Sequence, residues 1–307
     1  MRQIYAIGET VYDLIFRDEK LIAAKAGGSM LNSAVSLGRL QLPVYFISEF
    51  ANDNIGKIIR DFLFENNVSD DFVYRYNDGK TALSLAFLNE TSDADFTFYK
   101  LFPRKRLNIS LPEIQADDIV LFGSFFSLTS EIRPQLMEII HYAAAQGAII
   151  IYDPNFRKAH LHQLNELKEY ILENISLSHL VRGSDEDFYN IFACSDIDNA
   201  YKEVVKCGCT NLIYTANKKG VFLRTDDIMN HFDVNKIKPL STIGAGDNFN
   251  AGIIFSLYEQ NISLSQLGNL ESEKWNRIIE KGIDFGTHVC LSYDNYISKD
   301  FAKKHLL

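Results

Sequence analysis

The chain predicts an α/β protein: a doubly wound, mostly parallel sheet flanked by helices, with a small β-sheet lid beside it. Three observations point there. Short apolar runs alternate with helix-period stretches through most of the 307 residues. Several runs, such as Ile119-Val120-Leu121-Phe122 and Ile149-Ile150-Ile151-Tyr152, are apolar without interruption, as strands covered on both faces are. Two segments, 12–26 and 80–100, lack a helical period and break the alternation.

In chain order, strands are expected over 3–7, 44–48, 119–122, 148–152, 179–182 and 211–215. Amphipathic helices are expected over 29–40, 54–65, 131–146 and 198–206, with a mostly helical C-terminal third whose longest helix spans 274–291. Strand–helix alternation implies right-handed crossovers and one sheet. In the second irregular segment Phe96 and Phe98 alternate with Thr97 and Tyr99, which suits strands of a separate sheet able to close over a ligand. Without a low-complexity linker, residues 1–307 read as one domain with the lid strands inserted in it.

Composition narrows the function classes. Hydrophobic content of 47% and charged content of 23% describe a soluble globular protein. A net charge of -9 argues against nucleic acid or an anionic membrane surface as partner. It leaves a nucleotide open, because local donors hold a small anion. Cys194, Cys207, Cys209 and Cys290 lack metal or redox spacing, and a Gly8-Glu9 turn arrives before any signal-peptide core, so the expected compartment is the cytoplasm.

The strongest motif is Ser241-Thr242-Ile243-Gly244-Ala245-Gly246-Asp247, followed by an apolar run. Small residues there let a backbone approach an anion, and Asp247 is placed to take a proton from a nearby hydroxyl. Read alone, the same residues also describe a tight turn with Asp247 as helix cap. Gly27-Gly28-Ser29-Met30-Leu31-Asn32 places paired glycines before a helix and an amide able to meet sugar hydroxyls; alternatively Ser29 caps that helix. Asp13 lies beyond the first strand, where open α/β sheets bind ligands, and Arg157 follows Asp153-Pro154-Asn155-Phe156.

In this order and over nearly the whole chain, these motifs resemble the ribokinase/PfkB carbohydrate kinases, closest to the fructokinase-like branch. Gly123-Ser124, Arg182-Gly183-Ser184-Asp185-Glu186-Asp187 and Thr215 to Gly220 add to the likeness. The resemblance implies an ATP- and Mg²⁺-dependent kinase with a ribokinase-like fold. Asp247 would be the base, and the N–H groups of Gly244, Ala245 and Gly246 would hold the transferred phosphoryl. Asp13, Gly27, Gly28, Asn32 and Arg157 would face the sugar. Ser184, Thr215, Asn217, Gly220 and Thr242 would lie along the nucleotide, and Asp187 would place Mg²⁺ through water. A homodimer through the lid fits exposed strand edges.

The departures are specific. Ser241 stands where the family signature opens with Asp, part of a monovalent-cation site, so potassium activation is not expected. Arg182, Ser184 and Asp187 replace Lys, Asn and Glu, and Asn217 replaces Gly. Fructose is the first substrate, with 2-keto-3-deoxygluconate, another ketose or a nucleoside as alternatives. A weakly active sugar sensor is the reading from a different class.

Overall fold

The computed structural model describes residues 2–88 and 94–306. From the N-terminus, β1 (Ile4–Ile7) leads into a hairpin of β2 (Val11–Arg17) and β3 (Lys20–Gly27), then α1 (Ser29–Arg39), β4 (Val44–Ala51) and α2 (Asn54–Glu65). Next come β5 (Val68–Ser69), β6 (Val73–Tyr76), β7 (Lys80–Leu88), β8 (Ala94–Leu101) and β9 (Ile119–Gly123). The central part continues through α3 (Arg133–Gln146), β10 (Ile149–Asp153), α4 (Leu164–Ser176), β11 (Leu180–Ser184), α5 (Asp185–Phe192), α6 (Ile197–Lys206) and β12 (Leu212–Thr215). It closes with β13 (Val221–Arg224), β14 (Met229–Phe232), α7 (Ala245–Glu259), α8 (Leu264–Leu267), α9 (Ser272–Val289) and α10 (Lys299–Lys303).

The main sheet runs β14-β13-β12-β11-β10-β9-β1-β4-β5, with β6 also on β4. From β12 across to β5 and β6 every pairing is parallel, and β13 and β14 add an antiparallel edge. Residues alternate between two cores because successive strand side chains point to opposite faces. Ile4 and Ala6 pack with α1, α7 and α9, while Tyr5 and Ile7 pack with α3, α4, α5 and α6. Helix α7 is buried from Asp247 to Leu257, with apolar residues on most of its surface and Asp247, Asn248, Asn250 and Ser256 buried among them.

The lid is a separate four-stranded sheet in the order β3-β2-β7-β8. Its two hairpins are antiparallel, and a parallel β2–β7 pairing joins them. The two-residue β5 and four-residue β6 are too short to show a pattern in sequence.

What positions the site is the strand order. After β1 the chain moves to β4 and then returns to β9 on the other side of β1, so a crevice opens beyond the carboxyl ends of these strands. Gly8, Ser124, Asp153, Ser184 and Thr215 all stand at that end of the sheet. Among the described residues, no helix is long and apolar enough to cross a membrane.

Candidate active site

Helix α7 starts behind a turn that requires glycine. Gly244 has φ 79, and a Cβ there would sit 2.7 Å from the Asn295 carbonyl oxygen. Gly244 takes the cap position with no side-chain cap bond, so Asp247 is the third helical residue rather than the cap. The capping alternative for Asp247 is thereby set aside. Ser29 is likewise the first residue of α1, with Gly28 in the cap position. At the start of α7, Ala245, Gly246 and Asp247 have N–H groups without an intrahelical acceptor, although that of Ala245 leans on the Thr242 carbonyl at 3.3 Å. With the positive end of the helix behind them, these groups can take an anion.

Asp247 is buried and held from α1. Asn32 Nδ2 donates to its Oδ2 at 2.8 Å, and Ser33 Oγ donates to its backbone carbonyl at 2.7 Å. Burial pushes the Asp247 carboxyl up to about 6, and Asp153 adds to the rise; the Asn32 hydrogen bond and the charges of Arg157 and Arg182 oppose it. A carboxylate with that pKa is a competent base near neutrality. Asn32 Oδ1 is buried without a hydrogen-bond partner among the described residues. Such an acceptor calls for a donor, and a substrate hydroxyl can be one.

Asp13 stands on the lid strand β2, opposite Lys25 of β3 and Ser84 of β7. Its carboxyl is pushed up to about 6 by burial, with the Ser84 hydroxyl and Lys25 pulling it back and Glu9 adding to the rise. Gly27 leaves the space this carboxylate needs, since a Cβ there would lie 2.1 Å from Asp13 Oδ2. Gly28 passes equally close to the Glu9 carbonyl. Arg157 is exposed, yet its charge reaches Asp247.

The predicted nucleotide residues are more dispersed. Ser184 and Thr215 are register partners at the ends of β11 and β12. Ser184 caps α5, and the Asp187 carboxylate accepts from the Ser184 N–H at 2.7 Å, from its hydroxyl at 2.6 Å and from the Phe156 N–H at 2.6 Å. Thr215 Oγ1 accepts from Arg182 Nη2 at 2.9 Å. Asn217 and Gly220 form a tight turn before β13, where Gly220 has φ 99, and Asn217 and Thr242 are exposed. Among the described residues, no recorded bond joins Asn217 or Gly220 to the Asp247 cluster.

Sequence reasoning placed Arg182 in a motif but gave it no site role, and it is the residue that connects these halves. Arg182 is buried, donates to Asp153 Oδ2 at 2.9 Å and to Thr215, and lies over the Phe249 ring at 5.4 Å. A Cβ on Gly246 would sit 2.8 Å from its Nη1, so the guanidinium lies directly against the turn. Asn250 Nδ2 donates to the same Asp153 oxygen at 2.6 Å. The available signal was a lone Arg directly after the apolar Leu180-Val181, at a strand's carboxyl end.

Residues 1–273 match the model of the pfkB family carbohydrate kinases. The chain belongs to that family. The pfkB kinases are ATP-dependent phosphotransferases, and this chain is one. It is similar to a fructokinase of Rhizobium leguminosarum bv. trifolii, 27% identical over 88% of this chain and 84% of that one. In structure it resembles a double mutant of the Vibrio cholerae O395 fructokinase in fructose, ADP and potassium ion bound form, with TM-score 0.86, 19% identity and 100% and 99% of the two chains covered. It also resembles the Salmonella enterica aminoimidazole riboside kinase complexed with aminoimidazole riboside and an ATP analog, with TM-score 0.82, 20% identity and full coverage of both chains. The ribokinase-like sheet and the lid of this pfkB kinase agree with the architecture expected from its sequence.

Proposed function

We propose that this pfkB kinase phosphorylates a hydroxyl of a neutral ketose, fructose first, with Asp247 as the base. The observation that carries the reading is the Asp247 carboxylate, buried beside a glycine turn at a helix N-terminus and held by Asn32 from the glycine-led helix α1. The sugar hydroxyl gives its proton to Asp247 as its oxygen bonds to the terminal phosphorus of ATP and the bond to ADP breaks. The N–H groups at the start of α7, with Arg182 beneath Gly246, stabilise the charge on the transferred phosphoryl.

Asp13 and the unpaired Asn32 Oδ1 accept hydroxyl protons of the bound sugar. Arg157 lies toward the phosphates or the sugar. Thr215, Ser184, Gly220, Asn217 and Thr242 line the nucleotide. Mg²⁺ neutralises the ATP phosphates when bound. The donor set suits an ion held mainly by phosphate and water, because Asp187 already accepts three protein hydrogen bonds and no cluster of three metal-binding side chains occurs among the described residues. Asp187 would reach such an ion through water.

The charges near the lid favour a neutral sugar over a keto-acid. Lys100 pairs with Glu9, and Arg106 is buried in an ion pair with Glu49 while stacking on Phe102. Neither of these two is left to meet a substrate carboxylate, so a keto-acid would have to be met by the exposed Arg104 or Lys105 beside them. An ATP-consumption screen over ketoses, aldoses, keto-acids and ribosides tests the proposal. Fructose is expected to give the highest kcat/KM; a clear preference for 2-keto-3-deoxygluconate or a riboside overturns the substrate, and no turnover with any of them favours the sugar-sensor reading.

The kinase also pairs with a second copy through the lid, whose strands β3 and β8 are open edges displaying Leu21, Ile22, Tyr99 and Leu101. Sedimentation should show a dimer that Leu101→Lys weakens. Four free cysteines support a reducing, cytoplasmic compartment.

A further inference from the structure

The lid is tied to the catalytic turn through one side chain that the mechanism above does not use. Lys25, on β3, donates from Nζ to the Tyr293 carbonyl at 2.8 Å and to Asn295 Oδ1 at 2.9 Å. The segment it grips is the wall of the turn. The Asn295 carbonyl accepts from Asn248 Nδ2 at 2.8 Å, and the same amide donates to the Gly244 carbonyl at 2.7 Å. Gly244 is pressed so closely against Asn295 that no Cβ would fit.

Nearby, the approach to the turn runs beside the same C-terminal segment, with Leu240 N–H donating to the Cys290 carbonyl at 2.9 Å. The Cys290 and Asn295 carbonyls thus have backbone and amide donors, while the Tyr293 carbonyl accepts from Lys25. Ser241 adds a hydroxyl to them and no charge, and that hydroxyl accepts from the Ile243 N–H. The Tyr293 carbonyl and Asn295 Oδ1 need donors to hold this segment in place, and the Lys25 ammonium supplies them. Asp294 and Asp13 are the acidic groups whose charges Lys25 feels, and burial opposes its ionised form.

We propose that the Lys25 ammonium is a tethered cation that holds the 293–295 segment against the phosphate-binding turn. Lys25 touches no reacting atom; it is a positioning residue. Because it is also the register partner of Asp13, the same short stretch of lid that receives the sugar sets the turn in place. Sugar binding at Asp13 and ordering of the Gly244–Gly246 amides are therefore linked, and no soluble monovalent cation is required.

This inference rests on the kinase reading, and its test separates the two. Lys25→Ala is assayed with fructose and Mg·ATP at constant ionic strength, with and without potassium, ammonium or ethylammonium. The expected result is a kcat at least about tenfold lower, as loss of alignment produces, with both KM values within threefold. An added small cation should restore kcat saturably in the variant and leave the wild type unmoved. Hydrogen exchange gives a second readout that needs no turnover: amides of 290–296 and 240–246 should exchange faster in the variant and recover with the cation. If the alanine variant does not fold, Lys25→Met, which keeps the apolar stem, replaces it in the kcat and exchange measurements.

Unchanged kcat and exchange, a defect that no cation repairs in the alanine variant, or saturable potassium activation of the wild type would each overturn the tethered-cation role. A wild type that phosphorylates no sugar defeats the kinase reading, while the exchange measurement still decides the role of Lys25.

Discussion

The two ends of the cleft are built by different means. At the end proposed for the sugar, Asn32 on α1 bonds Asp247 on α7, 215 residues away, and Asp13 on the lid packs against Gly27, just before α1. Two carboxyls there have raised pKa values because they are buried with few compensating donors. At the end proposed for the nucleotide, Ser184, Thr215 and Gly220 lie at strand ends; Ser184 bonds Asp187, Thr215 accepts from Arg182, and Gly220 contributes only backbone. The contrast teaches where chemistry and where mere placement reside. Raised carboxylates make a base and a hydroxyl acceptor, whereas turns and caps make a cradle.

The sharpest way to break this comparison is Asp247→Asn. It should lower kcat by about 10²–10⁴-fold, the span of a lost general base, while calorimetry still detects sugar binding. A kcat near wild type would remove the base from the sugar end and leave both ends as cradles.

Asp13→Asn sharpens the distinction within that end. Losing a charge-assisted hydrogen bond to a hydroxyl should raise the sugar KM by about 10–100-fold, with kcat changed far less and the ATP KM unmoved. A fall in kcat without a change in sugar KM would show that Asp13 acts elsewhere.

Acid titration addresses both carboxyls together. Asp247 must be ionised to accept a proton, so kcat/KM should fall as pH drops through about 6 and level off above it. Stability runs the other way. Both folded pKa values lie above the usual carboxylate value of 3.8, so between about pH 4 and 6 the folded protein binds more protons than the unfolded chain. The stabilising share of these groups is complete below that window and lost as pH rises through it. Relative to wild type, Asp13→Asn should therefore gain in Tm at pH 8 compared with pH 4. An unaltered difference between the two pH values would contradict the burial of Asp13.

The smallest effect belongs to the end proposed for the nucleotide. Gly220→Ala places a Cβ 2.3 Å from the Phe232 carbonyl at a positive φ. It should cost about 1–3 kcal/mol of stability and raise the ATP KM a few-fold, leaving the sugar KM alone. If the sugar KM moves instead, the division between the two ends fails.

The sheet was legible because its strands are apolar without interruption, and 54–65 matched α2 at both ends since Asp53 caps it with a bond to the Gly56 N–H at 2.8 Å. Asp247 was legible because the glycines before it leave a mark on the local sequence. Arg182 was not, since a buried arginine looks like a surface one until Asp153 and Thr215 are placed beside it.

The sequence by itself determined the alternation of strands and helices, the separate lid segments and the glycine turn before Asp247, because each rests on residues near one another in the chain. Only the tertiary structure decided that Asn32 holds Asp247, that Arg182 lies against Gly246, and that Lys25 reaches Asn295. These contacts join residues 64 to 270 positions apart, and no local propensity records them. They follow from the crossover order of the sheet, which stacks α1, α7 and the lid over one crevice, and from the need of each buried polar group for a partner.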